Sequence, residues 1–223
     1  VAVIVPLFNE AQLLPRLLER LRALPVDELI LVDGGSDDGS ASLLADSGLR
    51  WMSSEPGRAR QMNAGAARCD SDLLLFVHAD TELDAAHIAL LREAMADGLY
   101  VGGRFDLRLS GGSAALRLIG WFINRRSCLS GISTGDQCQF VRRQLFERIG
   151  GFPEQPLMED IELSKRLKRI GRLACLPLPV VTSSRRWERH GLIRTVLLMW
   201  QLRLLYWLGV SPQRLARRYR LAR

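Results

Sequence analysis

Two rhythms of apolar residues alternate along the first hundred positions. The run VAVIVPLF, residues 1–8, is apolar throughout and reads as a strand buried on both faces, ended by Pro6. Leu14, Leu17, Leu18 and Leu21 then recur at helical spacing until Pro25. ELILVD (28–33) is a second strand. GGSDDGS follows as a glycine-rich turn, with Asp37 and Asp38 as helix-capping residues. LRWMS reads as a short third strand, EPGRARQMNAGAARC as a loop and helix, and SDLLLFVHAD as a fourth strand whose apolar core is Leu73 to Val77. A helix from about Asp84 to Asp97 completes the series. Strand and helix in strict alternation predict an α/β protein with a mostly parallel sheet flanked by helices.

Beyond residue 100 the alternation loosens. YVGGRFDLRLSGG reads as an antiparallel strand, followed by a helix and Gly/Ser-rich loops, then by the helical pattern MEDIELSKRLKRIG and the run RLACLPLPVVTSS. No internal repeat is apparent. The organisation is one mixed α/β domain with a C-terminal helical appendage.

Charge changes that picture only at the end of the chain. The net charge of +7 is uneven, since residues 173–223 hold ten Arg and one acid, Glu188, a net of +9, which leaves −2 for the rest. A basic, apolar tail suits an anionic membrane surface. Nucleic acid is excluded because the tail's aromatics are not interleaved with its charges. LIRTVLLMWQLRLLYWL (192–208) is shorter than the ~20 residues that span a bilayer. Arg194 and Arg203 also interrupt it on opposite sides of a helix. The tail can therefore pack on the domain, pair with a second copy, or lie at a membrane interface. Cys69, Cys128, Cys138 and Cys175 show no CxxC spacing, so free thiols in a reducing, cytoplasmic compartment are expected. No secretory leader is visible, and the chain starts inside a strand, as if a few leading residues had been removed.

Three acids fall at element boundaries: Asp33 ends the second strand, Asp80 follows the fourth, and Asp160 opens a helix. Taken singly, each is as well explained as a turn former or helix cap. Taken in this order, one can accept from a ribose hydroxyl or a base N–H. The second can hold Mg²⁺ or Mn²⁺, and the third can take a proton from a hydroxyl. Together they suit displacement of a nucleoside diphosphate by an alcohol.

At this point the motifs VPLFNE, LVDGGSDDGS, GRARQMNAGAA, FVHADT and MEDIELSKRLKRIG resemble, in order, those of family 2 glycosyltransferases with the GT-A fold, over roughly residues 1–172. The chain is most similar to a small bacterial group with HAD in place of DxD, some of whose members carry an arsenosugar-biosynthesis label. The resemblance implies a glycosyltransferase domain over 1–190, with a nucleotide-binding half about 1–97 and an acceptor half about 98–190, and a basic tail over 191–223. It implies that Pro6, Asn9, Glu10, Asp33, Arg58, Asn63 and Ala79 line the nucleotide site, with Asp33 reading a uracil base. Asp80, with His78, implies a divalent metal site for Mn or Mg. Asp160 implies the general base of an inverting transfer from a UDP-sugar to a hydroxyl on a small molecule or a lipid-linked acceptor.

Two positions depart from the pattern: His78 stands where the first Asp of DxD is usual, and Gly34 where a second Asp is usual. A neutral imidazole can ligate Mn²⁺ but lacks a carboxylate's charge. On the acceptor side, Asp136 and Gln137 in TGDQCQ face the cleft by resemblance, beside Glu159, and a polar turn explains them equally. Arg186 and Trp187 match part of a QxxRW motif, for diphosphate pairing and sugar stacking; Trp187 as a packing residue is the alternative. Two other functions remain open. A sugar-phosphate nucleotidyltransferase needs a glycine-rich loop after the first strand, and PLFNEAQLLPR contains no glycine. A non-catalytic nucleotide-binding or membrane-recruited scaffold needs turnover to be lost.

Overall fold

The periodic segments fold where their patterns place them. The structure is a computed structural model; it describes residues 1–221, excepting the side chains of Arg186, Arg189, His190, Arg220 and Leu221. In chain order the elements are β1 (Ala2–Leu7), α1 (Leu14–Arg22), β2 (Glu28–Asp33), α2 (Ser40–Ala45), β3 (Trp51–Ser53), α3 (Arg58–Ala66), β4 (Leu73–Phe76), β5 (Thr81–Glu82) and α4 (Ala85–Ala96). They continue with β6 (Tyr100–Leu109), α5 (Ala114–Ser130), a 3₁₀ turn at Gly135–Gln137, β7 (Phe140–Arg142), α6 (Arg143–Arg148), α7 (Glu159–Ile170) and β8 (Arg172–Thr182). The tail forms α8 (Arg185–His190), α9 (Leu192–Trp207) and α10 (Pro212–Leu221).

The strands make one sheet in the order β3-β2-β1-β4-β7-β6-β8-β5. β3, β2, β1 and β4 are mutually parallel. β7 then runs antiparallel to both β4 and β6, β6 pairs β8 in parallel, and β5 closes the edge antiparallel to β8. Strand order reverses at β1, between β2 and β4, which is where an open α/β sheet leaves a crevice beyond its carboxyl ends. Side chains of β1 split by parity: Val3, Val5 and Leu7 enter one apolar cluster with α1 and α4, while Ala2 and Ile4 enter a second with α3 and α7.

Pro6 does not end β1. It pairs with Val32 of β2 and the strand runs on to Leu7. Ile4 offers its carbonyl to Val77 on the β4 side, whereas Leu7 offers its own to Gly34 on the β2 side. Pro6 shares Ile4's parity, so its missing N–H points to β4, where the ladder's last pair is Ile4 with Phe76.

A second expectation is corrected at the cysteines. Cys69 and Cys138 are buried free thiols, but Cys128 on α5 and Cys175 on β8 form a disulfide, with Cα atoms 5.8 Å apart. They are 47 residues apart in sequence, and only the packing of α5 over the sheet makes them neighbours.

The tail packs on the domain. Leu202 of α9 and Leu215 and Ala216 of α10 join Leu157, Met158 and Ile161 around the start of α7. Its outer face stays in solvent, with Ile193, Leu197, Trp200, Leu204 and Trp207 exposed at helical spacing. Among the described residues no helix is long and apolar enough to cross a membrane.

Candidate active site

The loops after β1 and β2 are sewn together at the crevice. Ser36 Oγ accepts from the Asn9 N–H at 2.8 Å, and Asn9 Oδ1 accepts from the Asp37 N–H at 3.0 Å. Ser40 Oγ accepts from Glu10 N–H, and Asp38 from Ala11 N–H at 2.9 Å. Asp33 is buried, with its carboxylate accepting from the N–H groups of Gly35 and Ser36 and from Ser36 Oγ. It holds the floor of this loop pair. The glycine at position 34 also has a local reason: a Cβ there would stand 3.0 Å from the Gln61 amide. Gln61 is buried and donates to the carbonyls of Leu7 and Val32, locking α3 across the ends of β1 and β2.

Three distant motifs meet at one backbone N–H. Gly135, opening the 3₁₀ turn, donates to Asp160 Oδ2 at 2.9 Å, and a Cβ on Gly135 would lie 2.5 Å from both Cε1 and Nε2 of His78. His78 therefore stacks directly on the glycine that orients Asp160. Asp160 Oδ1 accepts from Ile161 N–H at 2.7 Å, and buried Gln139 donates to Asp160 O and Ser164 Oγ. Among the described residues only Asn9, Cys138 and Met158 combine a side chain with left-handed φ, at 55°, 48° and 68°. They sit in the β1–α1 loop, just after the Gly135 turn and just before α7. Backbone strain of this kind concentrates at functional sites.

Charge gathers around this junction. Glu159, buried at the first turn of α7, pairs with Arg58 of α3 at 2.9 Å. Burial pushes its carboxyl up, Arg58 pulls it down and Asp160 pushes it up again, for a net rise. Asp136 Oδ1 is buried without a hydrogen-bond partner among the described residues. Burial brings the Arg126 guanidinium of α5 down to about 10; Arg203 of α9 adds to the fall, while Asp136 and Asp160 oppose it. Arg203 is lowered the same way by burial, against the same two acids. On the other flank, burial and then Asp80 raise the Glu10 carboxyl, with Arg185 opposing. A cavity of about 280 Å³ opens beside Asp80, lined by Ala79, Glu82, Ser110, Ser183 and Arg185 among others.

The residues singled out by sequence thus divide. Glu10, His78, Ala79, Asp80, Asp136, Glu159, Asp160 and Arg58 lie around the crevice. Pro6 and Asp33 support it from beneath. Asn63 spends both ends of its amide on the backbone of Phe152, at 2.8 and 2.9 Å. Gln137 is fully buried and donates to Ser127 and Asn124 of α5, so it anchors the turn while Asp136 faces the junction. Trp187 packs half-buried against the main core, and the side chain of Arg186 lies outside the described residues. Arg126, Arg203, Gln61 and Gly135 escaped the sequence reading. Arg203 stood out only as an interruption of an apolar run, and nothing local marks Arg126. Among the described residues no group of three or more His, Cys, Asp or Glu side chains gathers to hold a metal alone.

Residues 2–150 match the model of the family described as Glycosyl transferase family 2. Curated relatives include the undecaprenyl-phosphate 4-deoxy-4-formamido-L-arabinose transferase of Serratia proteamaculans (strain 568). It is 28% identical over 163 residues, which cover 66% of this chain and 50% of that protein. The protein of the same description from Pseudomonas fluorescens (strain SBW25) is 32% identical over 114 residues, covering 45% and 33%. The chain thus spans half or less of the length of these relatives. Among solved structures, a mannosyltransferase from Pyrobaculum calidifontis in complex with GDP-Man and Mn²⁺ aligns with TM-score 0.63 and 22% identity, over 82% of this chain and 55% of that one. TarS residues 1–349 of S. aureus, in complex with UDP-GlcNAc, aligns with TM-score 0.62 and 16% identity, over 82% and 58%. These likenesses establish the fold as the GT-A arrangement that the motifs led to expect.

Proposed function

The chain belongs to glycosyl transferase family 2, and from that premise we propose that it transfers a sugar from a nucleoside-diphosphate donor to a hydroxyl of a small or lipid-linked acceptor, with inversion. One observation carries the reading: the contact of His78, Gly135 and Asp160 brings the strand-end HAD, the GDQ turn and the start of α7 to a single point. A scaffold without turnover has no use for a carboxylate aimed by a backbone N–H into such a crevice. The donor nucleotide fits the paired loops of Asn9–Ala11 and Asp33–Ser40, and UDP is the first choice.

A divalent cation fits beside Asp80. Burial and then the nearby Asp80 carboxylate raise the cost of ionising Glu10, and a cation relieves it. Asp80, with Glu10 or His78, would hold the ion, and phosphate oxygens of the donor would complete the oxygen shell that Mg²⁺ or Mn²⁺ requires. When bound, the ion supplies positive charge next to the departing diphosphate. The protein's own groups do the rest. Asp160, fixed by the N–H groups of Gly135 and Ile161, takes the acceptor's proton as the anomeric bond breaks. Asp136 Oδ1, which has no hydrogen-bond partner among the described residues, accepts from an acceptor hydroxyl. Arg58 keeps Glu159 paired beneath them.

The relatives act, by their descriptions, on undecaprenyl phosphate, and a membrane-borne acceptor suits this chain too. Trp200, Leu204 and Trp207 on α9, and Trp121 and Phe122 on α5, are exposed apolar side chains that can enter a membrane interface. The arginines of α10, which packs on α9, suit anionic headgroups, so peripheral association is the expected mode.

Calorimetric titration tests the donor half. UDP should bind with Mn²⁺ and at least tenfold more weakly with a chelator or in Asp80→Ala, with GDP and CDP as controls. Absence of nucleotide binding in every condition would leave the scaffold reading in its place.

A further inference from the structure

Met158 has no task in the reading above, yet its backbone is unusual. It caps the start of α7 in the left-handed region, at φ 68° and ψ 19°, and Glu159 and Asp160 follow it directly. A side chain in that region is costly, and the conformation persists only where its surroundings over-determine it. Here the tail supplies the surroundings. Met158 is buried in one apolar cluster with Leu157, Ile161, fully buried Leu202 of α9, and Leu215 and Ala216 of α10. One turn along α7, Tyr206 of α9 donates to Glu162 Oε2 at 3.2 Å, and Lys165 Nζ lies 4.4 Å from the centre of the Tyr206 ring.

Met158, Ile161, Glu162 and Lys165 fall on one side of a helix. The other sides of α7 are taken by the domain. Leu163 and Leu167 enter the cluster with β1 and α3, while Asp160 meets the Gly135 turn and Ser164 meets Ser133. The helix is thus held between the sheet and the tail. Of the two backbone donors to Asp160, the Ile161 N–H moves with α7 and the Gly135 N–H does not. Any change in the direction in which α7 starts is therefore felt at the Gly135 bond.

We propose that Met158 and Leu202 are positioning residues for Asp160: the tail, through Leu202, fixes the left-handed turn at Met158 and so aims the carboxylate two residues on. The proposal rests on the reading of Asp160 as the base and adds what holds that base in place. It makes the tail part of the catalytic assembly, beyond any role at a membrane.

The test is amide NMR of the isotope-labelled wild type and of Leu202→Ala, Leu202→Met, Met158→Ala and Met158→Gly, with the Gly135 N–H reporting its bond to Asp160. In Leu202→Ala and Met158→Ala the Gly135 proton should move upfield and exchange with solvent about tenfold faster or more. The Gly35 and Ser36 amides, which bond to Asp33 on the nucleotide side, should keep their rates. Leu202→Met conserves volume and should restore the wild-type signal. Met158→Gly should disturb Gly135 less than Met158→Ala does, because Gly enters the left-handed region without strain. An unmoved Gly135 amide in both Ala variants would overturn the proposal. So would exchange that quickens alike at Gly135, Gly35 and Ser36, which is general destabilisation, or a larger disturbance from Gly at position 158 than from Ala. Should Leu202→Ala fail to fold, the two Met158 variants decide the matter. The readout needs neither donor nor acceptor, so failure of the functional reading shows separately, as wild-type protein that does not bind UDP with Mn²⁺ or as undiminished transfer by Asp160→Asn.

Discussion

Replacing Asp160 with Asn should lower kcat for sugar transfer by about 10²–10⁴-fold, the usual contribution of a positioned general base. Nucleotide affinity and melting temperature should stay close to wild type. The substitution is mild in structure, because an Asn carbonyl can still accept from the Gly135 or the Ile161 N–H. It removes the basic oxygen and keeps the anchor. Asp160→Ala would remove both and confuse lost chemistry with a displaced Gly135 turn. The readout is release of nucleoside diphosphate that depends on added acceptor. An undiminished kcat would sink the base assignment and shift the nucleophile from a hydroxyl to an oxygen that is already anionic, such as that of a phosphate.

Gly135→Ala should lower transfer as well, by a different route. The new Cβ would sit 2.5 Å from two atoms of the His78 ring, well inside contact distance. Either the ring swings away from the strand-end motif or the turn retreats from Asp160. Overpacking of this kind destabilises by roughly 1–3 kcal/mol. Transfer should fall at least tenfold, through misplacement of Asp160. His78→Ala makes room for the methyl group. The double variant should therefore recover stability relative to the sum of the singles, with a coupling of about 0.5–3 kcal/mol. Strict additivity would mean that the ring and the turn do not press on each other in solution.

The contrast between these two positions marks what sequence can and cannot disclose. Asp160 was readable because helix starts, strand ends and their order along the chain are local features. The same holds for Asp84, which caps α4 as its position before the apolar period suggests. Gly135 was only a turn residue until the fold brought His78 against it. Asn63 sits in a recognisable motif, yet its partner Phe152 lies 89 residues away. Cys128 and Cys175 are joined by the packing of α5 over the sheet, which no spacing rule encodes. β5 pairs only Thr81 and Glu82 with β8, too short a run for any period to register. Gly34 shows how a residue that departs from a family pattern can still be demanded locally, here by the Gln61 amide.

The central claim is that a nucleoside diphosphate and a divalent cation meet at the carboxyl ends of β1 and β4, beside Asp80. Its most direct measurement is paramagnetic broadening of amide resonances by Mn²⁺, with the protein held at saturating UDP. The account predicts that signals of residues 9–11, 78–80 and 135–136 broaden first, and that they sharpen again in Asp80→Ala at the same Mn²⁺ concentration. Broadening centred elsewhere on the surface, or unchanged by removal of Asp80, would contradict it.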